Sequence, residues 1–276
     1  MKIAVVTTFN EAGLKKYAQR MIDTFCTNWP QEITLHLYPE KCNPAIKDHS
    51  RVTLTDLDSV SALTVFKERW KSVPKANGDV STDPIRSKRK DSGKGFKWDA
   101  IRFAHKVYAI FHCAQNTDAD VLIWMDADTI CHSPVSITQI NNLIPQDKDL
   151  CFLGRRGKYS ECGLYSMNLR SPKTQLFLKQ FQQFYDDAEN GIFKLDEWHD
   201  SFVFDAVRKT IQLNELNWSE HLYDLRPGPR NSVGEGHPLI NSAWGAYLDH
   251  LKGERKTEQR SRLTDLKVKR TEAYWQ

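Results

Sequence analysis

Asp126 and Asp128 stand two residues apart at the end of the apolar run Val121–Met125, in the stretch IWMDADT. A short, uninterrupted apolar run bounded by polar residues reads as a central parallel strand covered on both faces. In open α/β sheets ligands sit beyond the carboxyl ends of the strands, and the pair falls at that edge. Two neighbouring carboxylates are costly without a counter-charge. A divalent cation supplies one, and Mg²⁺ or Mn²⁺ prefers carboxylate, water and phosphate oxygens. The competing reading is an acidic turn that caps the next helix.

Further along, His250-Leu251-Lys252-Gly253-Glu254-Arg255-Lys256 spells HxxGxxK. A neutral imidazole binds Mn²⁺ well, and an ammonium at Lys256 would offset phosphate charge; otherwise His250 is a surface residue. Asp200, in Trp198-His199-Asp200, is a further acid; its plain reading is an N-cap for the helix-like SFVFDAV that follows. Gly163, in Glu161-Cys162-Gly163-Leu164-Tyr165, would let another group approach the backbone closely. Arg102 lies on the helix before the aspartate pair, as a donor contact or a solvent-facing charge.

The elements that must carry these residues are legible. KIAVVTTF (2–9) is a strand breaking into Asn10-Glu11-Ala12-Gly13. Leu14, Tyr17, Ala18, Met21, Ile22 and Phe25 recur at helical spacing, and ITLHLY (33–38) follows as a second strand, a βαβ unit that predicts a parallel sheet. Helices are expected over 60–70, Phe96–Gln115, 173–188 and Asp200–Val207, and strands over 150–154 and 163–169. No apolar run approaches the ~18 residues of a membrane span, and the N-terminal run is too short for a signal peptide. With 276 residues, 40% hydrophobic and 27% charged, the chain has the make-up of one globular domain. Six cysteines without a CxxC pair or zinc spacing read as reduced thiols of a cytoplasmic protein.

IWMDADT after a buried strand resembles the DxD element of nucleotide-sugar glycosyltransferases of the GT-A fold, and HxxGxxK resembles the C-terminal motif of their glycogenin-like retaining branch. KIAVVTTFNEAG is similar to that fold's first strand and nucleoside-binding loop. The resemblance implies a GT-A-like (Rossmann-like) α/β domain over 1–256, with a mostly parallel sheet flanked by helices. It further implies Mn²⁺ or Mg²⁺ on Asp126, Asp128 and His250, and a nucleotide-diphosphate sugar donor contacted by Thr7, Thr8, Phe9, Arg102, Asp126, Gly163, Gly253 and Lys256. Asp200 would be the catalytic carboxylate, and transfer would retain configuration. The chain departs from the pattern after Lys256, where Thr257-Glu258 replaces the usual Pro-Trp.

Two segments lie outside the resemblance. Residues 71–97 lose all periodicity and gather Arg86, Lys88, Arg89, Lys90, Lys94 and Lys97, which predicts a mobile basic loop. A basic tail, 257–276, closes the chain. The net charge of +4 does not by itself imply nucleic acid, but these clusters admit a non-enzymatic nucleic-acid-binding protein as the rival reading. They also admit a transferase whose acceptor is a hydroxylated base in DNA rather than a glycan. A phosphatase DxDxT is excluded because Thr129 follows Asp128 directly, and a sugar-nucleotide pyrophosphorylase because TTFNEAG lacks the Gly-, Arg- and Lys-rich first loop.

Overall fold

The structure, a computed structural model, describes residues 1–155, 157–226 and 237–276. Its main sheet has the order β3-β2-β1-β4-β7-β6-β8: β1 (Ile3–Asn10), β2 (Thr34–Glu40), β3 (Val52–Leu54), β4 (Val121–Met125), β6 (Leu150–Leu153), β7 (Glu161–Asn168) and β8 (Leu222–Asp224). β2 and β4 join β1 in parallel, β3 joins β2 in parallel and β8 joins β6 in parallel, while β7 runs antiparallel to both neighbours. The α/β class and the mostly parallel, helix-flanked sheet expected from the sequence are what the chain adopts. β5 (Thr129–Cys131) and β9 (Leu248–His250) form a separate antiparallel pair.

Strand β4 is apolar throughout because both its faces are covered. Leu122 and Trp124 join one core with Ala4, Val6 and the apolar side of α4 (Ala100–Asn116). Val121, Ile123 and Met125 join the other, with Val5 and with Met21, Ile22 and Phe25 of α2 (Gln19–Asn28). Alternation along a strand sends successive side chains into opposite layers, so one apolar run serves two cores. The helix entered from β1 starts as α1 (Glu11–Gly13), capped by the Asn10 side chain, and continues into α2 through a π-helical turn at Leu14–Ala18. The other helices are α3 (Ser61–Trp70), α5 (Ile137–Leu143), α6 (Pro172–Asp186), α7 (Asp200–Asn214) and α8 (Arg255–Glu258).

Short elements escaped the sequence patterns. β3, β5, β8, β9 and α5 are too brief for a period to show. Helix α4 begins at Ala100, four residues after Phe96, because Asp99 caps it by accepting from Arg102 N at 3.0 Å. Phe96 belongs instead to a 3₁₀ turn, Gly95–Trp98.

The two basic segments are folded onto the body. Residues 71–97 contain 3₁₀ turns at Pro74–Asn77 and Arg86–Lys88. Arg86 pairs with Asp83 and donates to Leu195 O, Arg89 pairs with Asp91 and Glu197, and Lys97 pairs with the same two acids. The C-terminal segment is tied down by Ser261 and Tyr274 on Asp249 and by buried Trp275 donating to Gly245 O.

Candidate functional site

The carboxyl end of β4 passes into the turn Asp126-Ala127-Asp128 and then into β5, not into a helix, so the helix-capping reading of the pair is set aside. The turn is clamped from three sides: Asp126 N donates to Gly163 O (2.8 Å), Thr129 N to Asp126 O (3.0 Å) and Leu251 N to Asp128 O (2.9 Å). Because Thr129 and His250 are register partners, pairing of β5 with β9 carries the imidazole to the carboxylates. His250 is 3% exposed; its Nε2 lies 3.2 Å from Asp128 Oδ1 and 3.5 Å from Asp126 Oδ2. The candidate ligand atoms of Asp126, Asp128 and His250 all lie within 4.8 Å of one another. That spacing suits one small cation.

Cations from the chain interlock with these acids. Lys256 Nζ is 2.7 Å from Asp128 Oδ2, with its ammonium over the Tyr17 ring of the π-helical turn at 4.9 Å. π-Helical turns are rare and frequent at functional sites. Lys106, buried on α4, reaches Asp200 Oδ2 at 2.6 Å and Asp126 Oδ1 at 3.0 Å, and Asp126 Oδ1 also accepts from Trp124 Nε1 at 2.7 Å. Glu161 faces the other side of the imidazole, 3.6 Å from Nδ1, and accepts from Lys252 Nζ (3.0 Å) and Gly163 N (2.9 Å).

The charges hold one another's protonation states. Burial opposes ionisation of Asp128, but His250 and Lys256 hold it well below the usual carboxylate range. Glu161 is likewise depressed against burial by Lys252 and His250. Burial would lower the His250 pKa, yet Asp128 and Glu161 push it up to about 10. Burial would also lower that of Lys106, but Asp126 and Asp200 raise it well above the ordinary lysine value. Satisfaction is incomplete: His250 Nδ1 and Glu161 Oε2 are buried without a hydrogen-bond partner among the described residues.

Every sequence-derived candidate has a definite place. Asp126, Asp128, His250, Lys256 and Asp200 converge. Asp200 is the first residue of α7 and not its cap; His199 is the N-cap. Gly163 is needed, but the group approaching it is the His250 ring and the Glu161 carboxylate, which a Cβ would strike. Gly253 takes φ +59, a conformation that favours glycine, in the turn before α8. Thr7 and Phe9 are buried in β1, and the Thr8 hydroxyl donates to Tyr38 O at 2.6 Å. Arg102 is exposed and makes no ion pair among the described residues, its guanidinium lying 5.8 Å from the Phe103 ring.

The sequence reading missed Lys106, Glu161, Lys252 and Tyr17. Lys106 carried a signal: it falls between Phe103 and Val107 on the apolar side of α4, where a lysine needs a reason. Tyr17 passed for a core position, and nothing local distinguishes Glu161 or Lys252.

No family model and no curated protein matches the chain in sequence. Among solved structures it is similar to apo mouse xyloside xylosyltransferase 1, at 13% identity and TM-score 0.44, covering 82% of this chain and 86% of that one. It is also similar to the glycosyltransferase GlyE of Streptococcus pneumoniae TIGR4 (9% identity, TM-score 0.42, 82% of this chain and 45% of that one). A third is the apo WbbM bifunctional glycosyltransferase (9%, 0.44, 81% and 38%). The chain spans less than half the length of GlyE and WbbM.

Proposed function

We propose that the protein is a glycosyltransferase that moves a sugar from a nucleotide-diphosphate donor to a hydroxyl acceptor, within the domain 1–256. The observation that carries this reading is the convergence of Asp126, Asp128 and His250 with Lys256 at the carboxyl edge of the sheet. The donor set, two carboxylates and an imidazole, fits Mn²⁺ or Mg²⁺, and the buried Nδ1 of His250 and Oε2 of Glu161, without partners among the described residues, mark a site whose polar groups are incompletely satisfied. Asp126, Asp128 and His250 would hold the ion, and an ion there supplies charge stabilisation to a departing diphosphate.

The chain's own residues supply the rest. Lys256, already turned to Asp128, adds a positive charge where diphosphate oxygens would lie, and Gly253 leaves its turn free of a side chain. Thr7, Thr8 and Phe9 end β1 beside the end of β4 and border the nucleoside. Arg102 stands at the rim as a donor contact. Lys106 fixes the carboxylates of Asp126 and Asp200 relative to each other, so Asp200 is set to meet the acceptor hydroxyl or the reacting carbon. The resemblance of the HxxGxxK element favours retention of configuration.

The rival, a non-enzymatic nucleic-acid-binding protein using the basic loop and tail, loses support in the C-terminal part, where the charges go to partners of their own. Arg255 pairs with Asp265, Arg262 with Glu254 and Glu258, and Arg270 with Glu272 and backbone carbonyls.

Calorimetry of UDP and other nucleoside diphosphates with Mn²⁺ tests the reading. Asp128→Asn keeps the shape and removes one charged ligand oxygen, so metal-dependent nucleotide binding is expected to weaken at least about tenfold, with the fold retained. Wild-type affinity in the mutant overturns the metal role.

A further inference from the structure

Along α7, the helix that Asp200 opens, the molecule has a cleft of about 850 Å³ that none of the site residues above lines. Its walls are the turn after β6, the outer face of α7 and the end of β8. Two carboxylates sit in it, and both are already used. Asp205, 4% exposed, accepts from Ser160 N and Oγ at 2.9 and 2.8 Å and from Arg208 Nη2 at 3.0 Å. Asp224 accepts from Gly154 N at 3.1 Å and from Arg226 Nη2 at 2.6 Å. Arg155 and Lys209 also line the cleft and meet no carboxylate among the described residues, so the walls carry an excess of positive charge.

Aromatic rings alternate with these cations. Tyr159 and Phe202 line the cleft, with Arg155 over the Tyr159 ring at 5.0 Å. Tyr159 in turn meets the edge of His199 at 4.4 Å, and Phe103 and the 44%-exposed Phe96 reach the same imidazole from the other side, at 5.8 and 6.2 Å. Phe96 follows directly on the basic turn in which Lys88, Lys90 and Lys94 are exposed and without ion-pair partners among the described residues. That turn is held to the residues that lead into α7 by Trp198 N donating to Lys97 O at 2.7 Å. His199 immediately precedes Asp200.

We propose that this strip is the acceptor site and that the acceptor is a single-stranded or locally unpaired nucleic-acid segment, its phosphates on Lys209, Arg155 and the 88–94 lysines and its bases on Tyr159, Phe202 and Phe96. A single carboxylated or phosphorylated sugar would need one cation. Several cations interleaved with ring faces match a repeating polyanion whose every unit carries a π-face, the combination that single-strand binders use. The assignment rests on the transferase reading for its consequence, since it brings a base hydroxyl to Asp200; binding itself does not.

The test is fluorescence anisotropy of a labelled, mixed-sequence DNA oligonucleotide of about 12 nucleotides, within the usual range of single-strand site sizes, across a salt series. Wild-type protein is expected to bind, with log K falling linearly in log salt. Arg155→Ala with Lys209→Ala should flatten that slope by about 1.4, at roughly 0.7 per phosphate contact. Lys88→Ser with Lys90→Ser, on an exposed turn, gives the same flattening without risk to the fold. Tyr159→Leu or Phe96→Ala should weaken binding about 5- to 100-fold with the slope unchanged, the loss of one stacked base. Equal slopes in all charge variants, or no effect of either ring, overturn the proposal. So does tighter binding of a duplex of the same sequence, or of a phosphorylated or sulfated glycan, which would make the acceptor a glycan. Asp128→Asn separates the two readings. If it loses nucleoside diphosphate but keeps the oligonucleotide, both stand; if wild type binds oligonucleotide and never a donor, only the transferase fails; if it binds donor and never oligonucleotide, only this inference fails.

Discussion

Asp249 and His250 are neighbours on β9, and their side chains enter opposite worlds. Asp249 is fully buried and, among the described residues, meets only neutral donors: Ser261 N and Oγ at 2.8 and 2.6 Å, and Tyr274 OH at 2.7 Å. His250 enters a cluster in which four acids, Asp126, Asp128, Glu161 and Asp200, face Lys106, Lys252 and Lys256, and in which two buried polar atoms have no partner among the described residues. A buried carboxylate answered in full by neutral hydrogen bonds anchors a chain segment, here the C-terminal strap. A knot of opposed charges with atoms left over is expensive to bury and marks a place built for a ligand.

The largest expected effect breaks the knot. Lys106→Met leaves buried Asp200 and half-buried Asp126 without their shared cation, so urea unfolding should show a loss of about 3–5 kcal/mol. A loss below about 1 kcal/mol would mean the cluster is as loosely coupled as a surface network. Asp249→Asn is the matching cut on the other side of the strand. Its amide cannot accept from all the donors that Asp249 serves, so about 1–3 kcal/mol should go, while nucleoside-diphosphate binding stays near wild type. Weakened nucleotide binding of the same size as in Asp128→Asn would erase the distinction between the two sides.

Gly163→Ala should act in the reverse sense. The added Cβ strikes the His250 ring, so metal-dependent nucleotide affinity should fall about tenfold, roughly 1.4 kcal/mol, measured by calorimetry, with a smaller change in melting temperature. Wild-type affinity would show that the ring is free to move.

The smallest effect is a pH response of the strap. His132 stacks on Tyr274 at 4.0 Å, and burial pushes its pKa down to about 4, against the pull of Gly245 O, Asp249 and Glu272 and with the help of Arg270. Between about pH 6.5 and 4 the unfolded chain binds the proton that the folded chain refuses, so stability falls as pH drops through that window and is unaffected above it. The loss should be on the order of 1 kcal/mol once solvent screening is allowed for. His237, also pushed down to about 4 by burial, responds over the same window, so His132→Gln should reduce the slope of the melting-temperature profile there without abolishing it; an unchanged profile assigns the response elsewhere. Glu40 leaves the upper part of that window clear: held down to about 2, chiefly by hydrogen bonding to His105, its contribution is present above about pH 4.5 and is lost only as pH falls further.

The sequence by itself determined the central elements, because burial on two faces leaves an uninterrupted apolar strand in Val121–Met125, and burial on one side leaves helical spacing from Leu14 to Phe25. It also marked Asp126, Asp128, His250 and Lys256, because their types and order resemble a known pair of motifs. It did not indicate that β7 runs antiparallel, since strand direction is set by neighbours and not by the strand's own residues. Nor did it indicate that the basic segments spend Arg86, Arg89, Lys97, Arg255 and Arg262 on partners of their own. Two of these pairs, Arg89 and Lys97 with Glu197, join residues about a hundred apart in the chain, which no local pattern encodes, whereas Arg86 with Asp83 and Arg262 with Glu258 are one helical turn apart and were open to a local reading. Lys106 is the sharpest case. Its position on the apolar side of α4 was written in the sequence, but which acids would answer it was decided only when β4 and α7 brought Asp126 and Asp200 to the same ammonium, because a buried charge is fixed by what packs around it in space.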